Sequence, residues 1–376
     1  MELLQPPGDR ARHKVLLRHR ERRDIGHPAH VHYFRNSIKI LKEKGHRFCI
    51  TARDKDVTIQ LMNEYEIDFF NRGKGGQNLF SKLWYGIKTN WFLFNLAIAF
   101  KPDMFLSFAS PYAAQVAKLM GKPHIAFTDT EHATLGNLAF IPFSHSIITP
   151  EVFQKNLGIK HIRFNGFMEL AYLNKNYFKP TFDVLKKLNL SPNDKYVVIR
   201  LVSWTASHDI GHQGFSHNSL IKLIQVISKY AKVRITTEGE MHEDLQPYAM
   251  SSIKPSNMHH VLANAALFIG EGATMASECA VLGTPCIYVN TLSAGTIEEQ
   301  ERHNLLVRLL DMDAIIKKAE NILQTNSSKK EQMIRCTEYL ENKINVTEFI
   351  NWMITHFPAS TNMMKNNPNY QDRFKV

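Results

Sequence analysis

The 376-residue sequence predicts an α/β protein of two Rossmann-like, doubly wound parallel-sheet domains that face a central cleft. Three observations carry this expectation. Short apolar runs alternate with amphipathic helical stretches from Gly26 to Thr149. The alternation lapses near His161–Pro180 and resumes at the β-branched run Tyr196–Leu201 (YVVIRL). Finally, Ala265–Val289 (AALFIGEGATMASECAVLGTPCIYV) reads as strand, glycine turn, helix, short loop and strand.

Taken in order, residues 1–23 are an atypical basic N-terminus with seven basic and three acidic residues. An apolar strand belongs directly before Asp24, and HRERR stands there instead. Either the strand is poorly formed, or Lys14–Leu17 supplies it through a longer connection. Residues 24–168 are read as the N-terminal domain. Gly26 permits a tight turn, Pro28 suits a first helical position, and the helix it opens stops at Gly45. Phe48–Thr51, Ile67–Phe70, Met104–Phe108, Ile125–Phe127 and Ser146–Thr149 are expected strands. Asp54–Tyr65, Leu79–Phe100 and Tyr112–Met120 are expected helices, with the aromatics of the long one from Trp91 onward turned to the core. Residues 169–190 form a connection that includes a helix at Thr181–Leu190. Residues 191–328 form the second domain: after its first strand come helix Ser219–Tyr230, strand Lys232–Thr236, helices near Glu243–Tyr248 and Met258–Asn264, the glycine-turn unit, and helices Glu298–Leu310 and Ala314–Gln324. Residues 329–357 are a helical segment that packs back, and 358–376 a polar tail.

Composition narrows the class. At 44% hydrophobic and 22% charged residues, this is the make-up of a globular protein. Cys49, Cys279, Cys286 and Cys336 show no metal-like spacing and are expected to be buried thiols. The longest apolar run, Trp91–Phe100, is far short of the ~20 residues a membrane span needs. The first residues are polar and basic without a signal-like apolar stretch, so the expected location is cytoplasmic. A net charge of +11 suggests anionic partners. It is dispersed after residue 23 and no nucleic-acid motif accompanies it, which argues against nucleic acid. The aromatic and basic end Gly73–Tyr85 leaves room for peripheral contact at the inner face of a membrane.

Ligands of doubly wound sheets sit at strand C-termini, so the chemistry is sought there. In the second domain three small-residue turns follow strands: Val202–Asp209, Thr237–Glu240 and Gly270–Thr274. Gly272, Ala273 and Thr274 open a helix whose unpaired N–H groups and dipole suit a phosphate. Arg200, Ser203, Thr205 and Glu238 stand at the companion turns, and Glu278 lies about one helical turn beyond Thr274, placed for sugar hydroxyls. In the first domain His27 and His30 can exchange protons near neutrality, and Asp129 and Glu131 are two apart in one turn. His27, His30 and His32 lack a carboxylate partner at a known spacing, so no metal is expected; packing or exposure suits His32. No GxGxxG follows the first strand, which disfavours a dehydrogenase.

These motifs also carry a resemblance. GATMASECAVLGTP resembles the donor-binding segment of GT-B fold nucleotide-sugar enzymes, especially the peptidoglycan N-acetylglucosaminyltransferase and the hydrolysing UDP-N-acetylglucosamine 2-epimerases. DIGHPAHVHYFRN, ITARDKD, SFASPYAA, AFTDTEHA, LVSWTASHD and GEGATMASE, in order, are similar to a prokaryotic family named for a domain of unknown function, 354. The resemblance implies the GT-B architecture, phosphate on Gly272–Thr274, ribose on Glu278, and a UDP-sugar as substrate rather than as a cofactor. It favours a glycosyltransferase of cell-envelope or surface polysaccharide synthesis, with an unspecified acceptor and His27 or His30, then Asp129 or Glu131, as base. GHPAH is loosely similar to the transferase's first turn and lacks the arginine-rich turn of the epimerases. Two alternatives stay open: a UDP-sugar 2-epimerase with Asp129 and Glu131 as acid and base, and a catalytically degenerate nucleotide-sugar binder.

Overall fold

The computed structural model describes residues 20–76, 78–131, 134–202, 215–250, 253–292 and 294–375. Its first half alternates β1 (Arg20–Ile25), α1 (Pro28–Glu43), β2 (Arg47–Ala52), α2 (Thr58–Glu64), β3 (Phe70–Asn71), α3 (Leu79–Phe100), β4 (Met104–Phe108), α4 (Pro111–Leu119), β5 (His124–Phe127), α5 (Thr134–Phe140), β6 (Ser146–Pro150) and β7 (His161–Phe164). Short helices α6 (Leu170–Leu173) and α7 (Asp183–Lys186) connect to β8 (Tyr196–Leu201), α8 (His217–Ile227), β9 (Lys232–Thr237), α9 (Met258–Asn264), β10 (Leu267–Gly270), α10 (Ala273–Leu282), β11 (Cys286–Tyr288), α11 (Gly295–Arg302) and β12 (Val307–Arg308). Helices α12 (Met312–Gln324), α13 (Ser328–Leu340), α14 (Val346–Thr355) and α15 (Ala359–Asn366) close the chain.

All strands pair in parallel, in the orders β3-β2-β1-β4-β5-β6-β7 and β12-β11-β10-β8-β9. Strand order reverses between β1 and β4 and between β8 and β10. Crevices at such reversals hold the ligands of doubly wound sheets.

The strand missing from the apolar pattern is present. RERRDI is an interior strand of the seven-stranded sheet, between β2 and β4, with Glu21, Arg22 and Arg23 fully buried. The main-chain ladders to β2 and β4 set this conformation, and the charges are accommodated after it. Arg23 pairs with Glu21 at 2.9 Å and lies over the Phe48 ring, while His46 Nδ1 meets the other Glu21 oxygen at 3.1 Å. Arg22 donates to the Leu93 carbonyl, but its Nε and Nη2 have no partner among the described residues, and burial lowers its pKa to about 10.

Other differences are local. His161–Phe164, inside the lapse of periodicity, is an edge strand. Glu298–Leu310 is a shorter helix followed by β12, and only four residues of Thr181–Leu190 are α-helical. Trp91 is 67% exposed rather than in the core. Residues read as a polar tail form α15 and a 3-10 turn that bury Ser360, Met364 and Phe374 against β7 and α14. Helix α14 also packs on α1 and α6, returning the chain end to the first sheet's side. All four cysteines are buried and free. Among the described residues no helix is long and apolar enough to cross a membrane.

Candidate active site

Two residues with no freedom of size shape the turn after β10. A Cβ on Gly270 would stand 2.5 Å from the Phe268 ring and 3.0 Å from Arg200 Cβ, so only glycine fits. Buried Glu271 accepts from the Val202 N–H at 2.9 Å and the Phe215 N–H at 2.7 Å, tying down both ends of the β8–α8 connection. Gly272 is then the N-cap of α10, and among the described residues no side chain caps that helix. The first N–H groups at Ala273 and Thr274 are left for an anion. The helix stops where the sequence places its end, with Gly283 at φ +66°.

Beside this turn, Arg200 donates to Thr236 Oγ1 at 3.0 Å and to Glu238 Oε1 at 2.8 Å, so two of the expected residues form one ion pair. Ser203 and Thr205 lie outside the described residues. Across the cleft, Arg200 is among the charges that act on His27, with Lys55 and Arg53.

His27 and His30 lie together, ring centroids 5.8 Å apart, at the start of α1. His27 Nδ1 accepts from the Ala29 N–H and His30 Nδ1 from the Gly26 N–H, both at 3.3 Å. Burial, reinforced by the neighbouring cations, lowers His27 to about 4 and His30 well below its ordinary value. Both rings are therefore neutral at pH 7. With Nδ1 accepting, the proton sits on Nε2, so each ring offers the cleft a donor rather than a base. Next to them, buried Asp24 accepts from Thr51 Oγ1 at 2.9 Å and from Ser110 Oγ, and pairs with Arg72 Nε at 3.0 Å.

The carboxylates separate into different roles. Glu131 Oε1 accepts from the Gln154 N–H at 2.9 Å and the Gly295 N–H at 3.3 Å, so it sits on the N-terminus of α11 and clasps the two halves. Asp129 instead accepts from the Tyr33 hydroxyl, and burial, aided by the Glu131 charge, raises it to about 6. Glu169, from the connection, is raised to about 8 by burial and then by the charges of Asp129 and Glu278; Ser277 hydrogen-bonds to it. Glu278 is buried, and its Oε1 takes both the Tyr172 hydroxyl at 2.6 Å and His259 Nε2 at 2.9 Å. His32 packs here too, stacked on Tyr172 at 5.2 Å and edge-on to His259 at 4.6 Å.

The structure thus brings together His27 with His30, Arg200 with Glu238, and Asp129 with the α10 carboxylate Glu278 through Glu169. Sequence reasoning overlooked Tyr33, Glu169, Tyr172, His259 and Glu271. Spacing could have found Tyr33, three residues after His30 on one helix face. Glu169 and Tyr172 sit where periodicity lapses and leave no local signal.

A family model described as "Protein of unknown function (DUF354)" matches residues 22–350. An uncharacterised protein of Methanocaldococcus jannaschii, MJ0665, is 28% identical over 276 residues, covering 70% of this chain and 80% of its own length. Among solved structures, MnaA of S. aureus in complex with UDP aligns at TM-score 0.64 and 11% identity, over 91% of this chain and 97% of that one. The UDP-GlcNAc 2-epimerase of Neisseria meningitidis, bound to UDP-GlcNAc, aligns at TM-score 0.61 and 11% identity, over 92% and 99%. The spinosyn forosaminyltransferase SpnP aligns at TM-score 0.60 and 11% identity, over 89% and 98%. At these identities the likeness establishes the fold: two α/β domains in the GT-B arrangement shared by glycosyltransferases and UDP-GlcNAc 2-epimerases.

Proposed function

The chain belongs to the DUF354 family, and on that premise we propose that it is a glycosyltransferase-like enzyme using a UDP-sugar. The observation that carries this reading is the N-terminus of α10, which no described side chain caps, with Arg200 near it and the neutral His27 and His30 at the head of α1. Backbone N–H groups, a guanidinium and the two Nε2–H donors would together serve a leaving diphosphate. Arg200 would exchange Glu238 for phosphate, and Glu278 would take a ribose hydroxyl at the oxygen that Tyr172 and His259 leave. With the histidines serving as donors, the base passes to Asp129. It would take the proton of an acceptor hydroxyl as that oxygen bonds to the anomeric carbon. The bond from that carbon to the β-phosphate oxygen would break, and UDP would leave with the electron pair.

One observation favours a second reading. Asp129 raised to about 6 and Glu169 raised to about 8 give a mostly ionised and a mostly protonated carboxyl at pH 7, the state that elimination in a UDP-sugar 2-epimerase asks of its base and acid. Incubation with UDP-GlcNAc alone separates the two. An epimerase releases UDP and the 2-epimer, whereas a transferase turns over only once an acceptor hydroxyl is supplied. Arg200→Ala is expected to weaken UDP binding about tenfold by calorimetry, the worth of one charge-assisted contact. Unchanged affinity would move the nucleotide elsewhere.

A further inference from the structure

We propose that the outward face of α3 docks the protein on an anionic lipid bilayer. This stands apart from the nucleotide-sugar reading and rests on different residues. Helix α3 has 22 residues and is ~33 Å long. Its inward positions, such as Leu93 and Ala97, pack with Phe105 and Val116. A helix lying on a sheet normally turns polar residues outward. Here Phe80, Leu83, Trp84, Ile87, Trp91 and Ile98 point outward, each 50–80% exposed. At 3.6 residues per turn they form one stripe along the whole helix. A contiguous apolar face of that extent on a folded surface marks an interaction site.

Charge selects the partner. From Phe69 to Pro102 there is no acidic residue, while Arg72, Lys74, Lys82, Lys88 and Lys101 are basic. Arg72 is committed to Asp24; Lys88 flanks the stripe, and Lys74 and Lys101 stand beyond its two ends. Pairing with a second copy about a two-fold axis would set this wholly basic stretch against itself. An anionic bilayer instead complements the lysines, while the indoles of Trp84 and Trp91 suit the headgroup boundary. No described helix can span the bilayer, so α3 lies in the interface plane. Its inner flank reaches the cleft: Tyr85 accepts from Arg72 Nη1 at 2.8 Å, and Arg72 holds Asp24 beside His27. Docking through α3 therefore turns the rim of the first sheet's ligand edge to the membrane.

Co-sedimentation of the full chain with vesicles of phosphatidylcholine, with or without about one-third phosphatidylglycerol, tests this. The expected result is binding to the anionic vesicles that weakens with salt. Trp84→Glu with Trp91→Glu should lower the partition coefficient at least about tenfold. Lys74→Glu with Lys88→Glu should abolish the preference for phosphatidylglycerol. All four positions are solvent-exposed, and circular dichroism melts matching the parent exclude a folding defect. No vesicle binding by the parent chain, or binding unaffected by both double variants, overturns the proposal. So does a parent that is a dimer made monomeric by the tryptophan changes without ever binding vesicles; the stripe is then a subunit interface.

Discussion

Glu169 offers the sharpest test of the carboxylate cluster. The residue is 4% exposed, and burial, then the charges of Asp129 and Glu278, raise its pKa from 4.5 to about 8 against the opposing hydrogen bond of Ser277. Between those two values the folded chain holds a proton there that the unfolded chain has lost. Stability from this group is thus fully present below pH 4.5 and drains away as pH rises through 8. At ~1.36 kcal/mol per pH unit, the loss by pH 9 is on the order of 5 kcal/mol. Glu169→Gln keeps an amide that can bond Ser277 and removes the ionisation. The variant should match the parent near pH 5, within ~1 kcal/mol, and exceed it by several kcal/mol at pH 9. Urea unfolding of both proteins across pH 5–9 measures the difference, and subtracting the two curves cancels other titrating groups except those coupled to Glu169. Asp129, the main coupled partner, titrates lower, near 6, so its share falls at the acid end of the window. A stability difference that does not change with pH, or a variant weaker than the parent at pH 9, refutes the assignment of a protonated Glu169.

Three further outcomes follow from the geometry. Glu131→Ala strips the acceptor from the Gln154 and Gly295 N–H groups and should cost about 2–3 kcal/mol in urea unfolding; a variant of full stability that has lost activity would make Glu131 catalytic instead of a clasp. Gly270→Ala pushes a methyl into the Phe268 ring and should destabilise by about 1–3 kcal/mol while weakening UDP binding, and a neutral result would mean that the turn is looser than it looks. Arg22→Met removes two buried nitrogens without a partner among the described residues and should raise stability by about 1–4 kcal/mol, read as a higher melting temperature.

What was legible in the chain is what local physics writes there. The ends of α3 are set by the Asn78–Ser81 capping box and by Lys101 before Pro102, all within a turn of the boundary, and they are read correctly. Gly283 marks the end of α10 for the same reason. Strand β1 is invisible because its conformation comes from neighbours on both sides, and its side chains contradict the apolar pattern of a central strand. The site divides along the same line. The glycine turn and the position of Glu278 on α10 are local and were seen. The direction Glu278 faces is decided by Tyr172, 106 residues away in a segment without periodicity, and by His259 on the preceding helix.

The first-domain acids show why direction matters more than identity. Asp129 and Glu131 share one turn and one chemistry, and nothing local separates them. The fold gives Glu131 to the N-terminus of α11, 164 residues away, and gives Asp129 to the Tyr33 hydroxyl. An acid whose oxygen accepts two N–H bonds at a helix N-terminus is committed to holding the chain there. An acid raised to about 6 by burial exchanges protons readily at pH 7. Two histidines at the head of α1 become donors through a single choice each, the backbone N–H that Nδ1 accepts. The binding half of the proposed site is therefore written in glycines and helix ends. Its proposed proton-transfer half is written in which buried neighbour each acid meets, and that is settled only when the two sheets come together.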